Sequence, residues 1–259
     1  MTPFWVSAFL DLAPDEHERG VAFWQAVTGY ALSEPRGEHD EFATLVPPAG
    51  DDFLRVQRLG DGPSRVHLDL HVTDAGAAAE RAVALGARVV ERPEQGYVVL
   101  ESPGGFTFCF VHHRASERPR PIAWPGGHTS LVDQVCLDIP AARHDEECAF
   151  WGAVTGLPRV DRIRTDEFSR LSGEDRVAIQ VLLQRLGEQD GPVRAHLDLA
   201  TTDRAAEVAR HEELGARVVA DFDRGWTVLA APAGPAYCVT DRRPDGPRQT
   251  GSHPLGRRR

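Results

Sequence analysis

The sequence predicts an α+β protein made of two tandem copies of one domain, each copy holding two successive β-α-β-β-β units. Three observations carry this reading. A long duplication runs through the chain: AFWQAVTGY (Ala22 to Tyr30) returns as AFWGAVTGL (Ala149 to Leu157), and VQRLGDGPSRVHLDLHVTD (Val56 to Asp74) returns as LQRLGEQDGPVRAHLDLATTD (Leu183 to Asp203). A repeat of this length is a whole domain, beyond the roughly 20–50 residue periods of solenoids. Within each copy the apolar pattern switches repeatedly between strand alternation and helical spacing. The 259 residues also suffice for two domains of ordinary size.

The first copy shows the elements in order. An apolar segment, Phe4 to Leu12, is followed by the acid-rich start Pro14, Asp15, Glu16 of a helix. Val21, Phe23, Trp24 and Val27 give that helix its apolar stripe, and Gly29 stops it. Strands fit Phe42 to Val46 and Phe53 to Leu59, and the Gly62-Pro63 turn leads to a strand over Arg65 to Thr73. Asp74 then caps a second helix that Gly86 ends. Three last strands fit Arg88 to Glu91, Tyr97 to Leu100 and Phe106 to Val111. The domains span residues 1–114 and 130–241, joined by a Pro-rich linker over 115–129. Residues 242–259 read as a disordered basic tail.

Composition narrows the function. Hydrophobic residues are 41% and charged residues 26%, the balance of a globular protein. With 29 basic residues, all arginine, against 39 acidic ones, the net charge is -10, which disfavours nucleic-acid partners. No apolar run is long enough to span a membrane, and the start lacks the basic region of a signal peptide, so a cytoplasmic location is expected. Cys109, Cys136, Cys148 and Cys238 form neither a C-x-x-C pair nor a dense framework; they read as small buried residues.

The AFW-x-x-x-T-G helix end, the H-x6-D openings (His67 to Asp74, His196 to Asp203) and the late SPGG-FTFCFV and APAG-PAYCVT segments carry a family resemblance. On these motifs the chain resembles the vicinal oxygen chelate superfamily, which includes glyoxalases, bleomycin-resistance proteins and extradiol dioxygenases; its nearest flavour is a tandem glyoxalase-like protein. The resemblance implies open, cup-shaped sheets with helices outside and a ligand or metal in each cup. It also implies two domains packed as an intramolecular pseudo-dimer.

The superfamily's metal positions, carried over residue by residue, are mostly altered here. The third falls on His67 and His196 and matches. The first falls near Ser7 or Ala8 and on Gln134, the second on Gln57 and Gln184, the fourth on Cys109 and Cys238. A neutral amide, a thiol and one imidazole form a weak cage for a divalent ion. No cofactor is therefore expected, with a divalent metal left open through His67, Gln57 and Cys109 or His196, Gln184 and Cys238.

Strand alternation places Arg65, His67, Asp69 and His71 on one face, repeated as Arg194, His196 and Asp198. This stripe is either a cup lining or a hydrogen-bonded structural layer in which Asp69 pairs Arg65 or a neighbour. As chemistry it offers general acid–base candidates: His67, Asp69, His196 and Asp198. Tyr97 and Trp226 are equivalent and suited to stack on a bound ring. The acids of Asp40-Glu41 and Asp166-Glu167 could supply a carboxylate. His17 and His144 read as exposed, Trp24 and Trp151 as core. Ser7 lacks a counterpart in the second copy, which argues against a Ser/His/Asp triad.

Three functions follow as expectations. The first is a small-molecule binding protein with metal-poor cups for an organic, aromatic or antibiotic-like ligand. The second is a metal-dependent lyase, isomerase or dioxygenase with His/Gln/Cys ligands. The third is a cofactor-free acid–base enzyme using Arg, His and Asp.

Overall fold

The alternation of the first segment becomes strand β1 (Trp5–Leu12). Its even-numbered side chains, Val6, Ala8, Leu10 and Leu12, are buried in the apolar core. In the computed structural model, which describes residues 2–161, 167–171 and 177–245, helix α1 (His17–Thr28) buries Val21, Phe23, Trp24 and Val27 as its periodicity requires. Gly29 closes the helix at φ 68°, where a β-carbon is disfavoured. Strands β2 (Ala31–Leu32), β3 (Phe42–Val46), β4 (Leu54–Arg58) and β5 (Arg65–His71) follow. Helix α2 (Ala75–Ala84) is capped by Asp74, whose side chain accepts from the Ala77 N–H at 2.9 Å. Strands β6 (Arg88–Glu91), β7 (Val98–Glu101) and β8 (Thr107–Val111) complete the copy. The two-residue β2, between Gly29 and Phe42, is too short to carry a pattern of its own.

The second copy repeats the plan as β10 (Thr129–Ile139), α3 (His144–Thr155), β11 (Arg159–Asp161), β12 (Phe168–Leu171) and β13 (Gln180–Arg185). Then come β14 (Arg194–Thr201), α4 (Arg204–Glu213), β15 (Arg217–Phe222), β16 (Trp226–Ala230) and β17 (Tyr237–Thr240). Between the copies lies β9 (Ile122–Ala123), which pairs with β10.

Each copy forms one open sheet, in the orders β2-β3-β4-β1-β5-β8-β7-β6 and β11-β12-β13-β10-β14-β17-β16-β15. The two halves of a sheet meet at an antiparallel seam, β1 on β5 and β10 on β14. Each seam strand has a parallel outer neighbour, β4 and β8 in the first sheet, β13 and β17 in the second. At the first seam Ser7 faces Asp69, Phe9 faces His67 and Asp11 faces Arg65. Because side chains alternate, these polar residues share one face and the even-numbered apolar ones take the other.

The apolar faces are covered across the copies. Helix α1 of the first copy packs on the second: Trp24 lies 5.2 Å and Phe23 5.9 Å from the Tyr237 ring. Helix α3 returns the arrangement, with Trp151 5.2 Å and Phe150 5.9 Å from Phe108. Glu147 on α3 accepts from the Gly104 N–H, and the Val193 N–H donates to Gly104 O at 3.1 Å.

One end of this interface is a buried polar cluster. Glu207, fully buried, accepts from His128 (2.7 Å), Arg210 (2.8 and 3.0 Å) and His211 (3.1 Å). Arg210 also donates to the Ala26 and Val27 carbonyls at the end of α1 and lies 3.6 Å over the Trp124 ring. The guanidinium thus satisfies carbonyls that the helix end leaves without partners. No helix among the described residues is long and apolar enough to cross a membrane.

Candidate functional site

In the first cup the central group is His67, brought from β5 against Asp11 on β1. Its Nδ1 lies 2.8 Å from Asp11 Oδ1, and its Nε2 faces Asp69 Oδ1 at 3.7 Å. Asp11 is 1% exposed, and its second oxygen accepts from Arg65 Nε at 3.1 Å. Asp69 accepts from Arg55 NH1 at 3.3 Å, and Arg55 NH2 reaches Asp52 at 2.9 Å. Phe9 stacks flat on the imidazole, with ring centres 4.5 Å apart. The Cys109 sulfur, opposite Asp69 in the β5–β8 ladder, lies within 4.8 Å of an imidazole nitrogen of His67.

The second cup repeats the core of this arrangement with different surroundings. His196 Nδ1 lies 2.8 Å from Asp138 Oδ2, and its Nε2 lies 3.3 Å from Asp198 Oδ1. Cys238 stands opposite Asp198, its sulfur within 4.8 Å of a nitrogen of the ring. Cys136 takes the place of Phe9, and its thiol reaches Gln184 Oε1 at 3.6 Å. Where the first cup has Arg55, the second has Leu182, and the guanidinium arrives from elsewhere: Arg242, just past β17, pairs with Asp133 and lies 3.6 Å from Asp198. Gln134 donates to Asp198 from β10.

Burial and charge act against each other at both rings. Burial disfavours the charged imidazole of His67, yet the carboxylate of Asp11, which accepts from Nδ1, and that of Asp69 beside Nε2 hold it well above its ordinary value. For His196 burial is likewise overcome, by the neighbouring Cys136, Asp138, Asp198 and Cys238. Both rings are therefore imidazolium at neutral pH. Burial pushes Asp69 and Asp198 up, but the adjacent imidazolium and guanidinium bring each below the usual carboxylate range. Burial raises the thiols of Cys109, Cys136 and Cys238.

Most of the candidate residues named from sequence converge. His67, Asp69 and Cys109 form one cluster, and His196, Asp198, Cys238 and Gln134 another. Arg65 and Arg194 are exposed at the rims, where Arg194 pairs with Glu188. Gln57 is half-buried on β4 opposite Asp11, and Gln184 donates to Glu167 at 3.1 Å. Tyr97 is half-buried at the start of β7. Trp226 packs against Phe168 (5.8 Å) and Phe222 (4.9 Å), with Arg224 4.8 Å from its ring centre. Asp166 and the tail from residue 246 lie outside the described residues.

Three expectations need correction. Asp69 pairs with Arg55 rather than Arg65, because the seam register places Arg65 opposite Asp11. The β1 and β10 residues directly across from the histidines are Phe9 and Cys136, two residues beyond Ser7 and Gln134. His144 is 3% exposed and meets Cys148 at 3.4 Å and Asp145 at 3.2 Å. Ser7 Oγ lies 2.8 Å from His71 Nε2, and His71 Nδ1 lies 2.8 Å from the His113 carbonyl, so the histidine beside Ser7 is oriented by a backbone oxygen and not by an aspartate.

Asp11 and Asp138 were missed, as was Arg242, whereas Arg55 against Leu182 is one of the positions at which the sequence already sets the two cups apart. The carboxylates had a signal. FLDL at Phe9 and HLDL at His67 are half-domain equivalents, and CLDI at Cys136 and HLDL at His196 repeat the relation. Arg242 had none, since it follows β17 at the start of an aperiodic segment and has no arginine equivalent in the first cup.

Among the described residues, three groups bring potential ligand atoms within 4.8 Å of one another: His67, Asp69 and Cys109; Cys136, Asp138 and His196; His196, Asp198 and Cys238. Their chemistry does not fit a divalent ion. Asp11, Asp69, Asp138 and Asp198 each already meet an imidazolium, and three of them a guanidinium as well. In the first cup Phe9 also covers a face of the imidazole. An ion would have to expel bound cations and strip protons from buried thiols.

His71 makes a separate prediction. Burial lowers its pKa to about 4, so the fold binds fewer protons there than the unfolded chain does. A depressed folded value means that its stabilisation is complete above about pH 6.5 and is lost as the pH falls toward 4. His71→Asn is expected to flatten urea-unfolding stability between those limits by about 3 kcal/mol. An unchanged slope would show that His71 is not held neutral.

The glyoxalase-like domain family matches residues 7–111 and 134–240. Among curated proteins nothing matches the chain. Solved structures share the fold. A variant of 4-hydroxymandelate synthase from Streptomyces coelicolor is 15% identical with a TM-score of 0.64, over 95% of this chain and 94% of that one. A 2,2',3-trihydroxybiphenyl 1,2-dioxygenase from Sphingomonas wittichii is 17% identical with a TM-score of 0.63, over 93% and 90%. An Mn(II)-bound glyoxalase from Novosphingobium aromaticivorans is 18% identical with a TM-score of 0.61, over 95% and 84%. With two complete matches, two open sheets and a polar lining at the same strand positions in both, the chain belongs to the glyoxalase-like domain family of the vicinal oxygen chelate superfamily.

Proposed function

We propose that this protein binds small organic ligands in its two cups without a metal ion. The single observation that carries the reading is the charge pairing around each ring: every carboxylate beside His67 and His196 already has a cation of the chain as its partner. Such a lining suits hydrogen bonding to a neutral or weakly charged guest better than it suits a divalent cation. Gln57, Arg65 and Tyr97 supply polar and aromatic contacts at the first rim, Gln184, Arg194 and Trp226 at the second. Two of the structural neighbours are named for hydroxylated aromatic compounds, which favours aromatic probes. The cups differ at Ser7/Gln134, Phe9/Cys136, Arg55/Leu182 and His71/Ala200, so each takes its own guest. In this reading residues 1–114 and 130–241 form an intramolecular pseudo-dimer joined by 115–129, working in the cytoplasm.

Elemental analysis of protein purified without chelator, with thermal shifts against phenols, aromatic acids and antibiotics, tests the proposal. Metal well below one ion per chain is expected, with no change in Tm on adding EDTA. A guest at a hundred times its Kd should stabilise the fold by about 2.7 kcal/mol. Stoichiometric manganese or zinc, released by EDTA together with a fall in Tm, would favour the metal-dependent alternative instead.

A further inference from the structure

We propose that the cleft between helix α2 of the first copy and helix α3 of the second is a binding site for a small neutral aromatic ring, separate from both cups. It stands apart from the ligand reading of the cups, and either can fail without the other.

A cavity of about 80 Å³ lies in this cleft, continuous with the interface between the copies. Ala78, Ala82, Leu85, Phe110, Val154 and Gly156 line it with apolar surface, and the exposed Arg81 and Thr2 add polar groups. Boundaries between domains are frequent places for small-molecule pockets.

Duplication indicates what the cleft accepts, because its counterpart between α1 and α4 is filled by the chain itself. Aligned on the capping residues Asp74 and Asp203, Ala78, Arg81 and Ala82 of α2 match Glu207, Arg210 and His211 of α4. Aligned on the glycines that end α1 and α3, Gly156 matches Gly29. In the filled cleft the Trp124 ring lies against Gly29, where an added β-carbon would stand 3.2 Å from Cη2. Arg210 covers the indole face at 3.6 Å, and the indole N–H donates to Ser130 Oγ at 2.8 Å. Beside Ser130 only about 10 Å³ stays open.

The α2–α3 cleft keeps the glycine and the arginine of that arrangement. Two alanines stand where α4 carries Glu207 and His211, which leaves the space open. Thr2, rather than an indole, approaches Gly156, its Oγ1 2.8 Å from the place of an added β-carbon. Arg81 is held only by the Ala77 carbonyl of its own helix, at 2.9 Å. When a ring is seated, Arg81 turns from that carbonyl onto the ring face, as Arg210 lies on Trp124. Thr2 Oγ1 takes the part of Ser130 and accepts from a ring hydroxyl. The cavity has about half the roughly 150 Å³ of a closed apolar cavity that takes up benzene. The guest is therefore a single ring that enters by one edge and leaves the other under Arg81.

Phenol is the simplest such guest, and cyclohexanol is its saturated comparator. The test titrates each into the full chain with isotope-labelled alanine and valine methyl groups, followed by NMR. Phenol is expected to shift the Ala82 and Val154 methyl signals saturably, with intermolecular NOEs to both, and to bind at least about twofold more tightly than cyclohexanol. Arg81→Ala changes an exposed side chain and should weaken phenol by about two- to fivefold. Ala82→Leu should weaken it by about tenfold or more by filling the cavity, at a position where α4 already carries the larger His211. Phenol that leaves Ala82 and Val154 of the unmodified chain unmoved would overturn the proposal, including phenol that moves only Ala200 in the second cup. Equal binding of cyclohexanol, or indifference to Arg81→Ala, would overturn the aromatic assignment.

Discussion

Replacing Asp11 with alanine is expected to lower the unfolding free energy by about 3–5 kcal/mol near pH 6, the range for breaking a buried ion pair from one side. The carboxylate sits between the Arg65 guanidinium and the His67 ring and is almost wholly shielded from water. Arg65 is 52% exposed and regains water when its partner goes, so it contributes little to the loss. The penalty falls on His67, left as a buried cation beside Phe9 with only Asp69 to answer it. Its raised pKa sets the sign of the pH dependence. Stabilisation from the charged ring is complete below the unfolded value of about 6.5 and is lost as the pH rises through the folded value. The gap between wild type and variant in urea unfolding should therefore be widest at pH 6 and shrink in alkali. A loss under about 1 kcal/mol at pH 6 would mean that His67 is not charged in the fold. Asp138→Ala should be milder, because Asp138 and His196 keep 16% and 18% of their side chains exposed.

Glu207→Ala is expected to be at least as damaging, again about 3–5 kcal/mol. The loss strands three donors at once, His128, Arg210 and His211, whose side chains are largely shielded from solvent. It also loosens Arg210, whose guanidinium holds the last carbonyls of α1. Amide exchange near the end of α1 should accelerate together with the fall in stability. Burial opposes ionisation of Glu207, but His211 and Arg210 outweigh it and depress its pKa strongly. Its contribution is thus present above the unfolded value of about 4.3 and fades as the pH falls below that. The difference between wild type and Glu207→Ala should narrow in acid, the opposite direction from Asp11→Ala. Arg210→Ala combined with Glu207→Ala should cost less than the two single losses added together, since both remove the same contacts.

The fold was legible in the sequence because duplication supplied two independent readings of one pattern. Gly29 and Gly156 stop matching helices, Asp74 and Asp203 cap matching helices, and the alternation around His67 recurs around His196. Strand alternation also showed which side chains share a face. It could not show which residue on β1 stands across from which on β5, and the site depends on that pairing. A shift of two residues separates Ser7 from Phe9, and with it a weak ligand from a ring stacked on the imidazole. Asp11 sat in plain view within FLDL, but its partner is 56 residues away, and only the seam register joins them. Arg242 was hidden for another reason. An Arg-rich, aperiodic stretch reads as solvated tail, and nothing local signals that its first residue meets Asp133 and Asp198. His144 likewise looked like an ordinary helix-start residue, yet it is 3% exposed and meets Cys148 one turn on.

The exchange of helices between the copies sets how this chain can be divided. A protease cut within residues 115–129 would leave two fragments still clasped, each holding the aromatic wedge the other needs. Made separately, either fragment would display a greasy wall around Phe108 or Tyr237 and clump, whereas mixing the two during refolding should restore the native particle. Fusion into one polypeptide thus enforces equal numbers of the two halves, and it frees each hollow to change its lining without the other following.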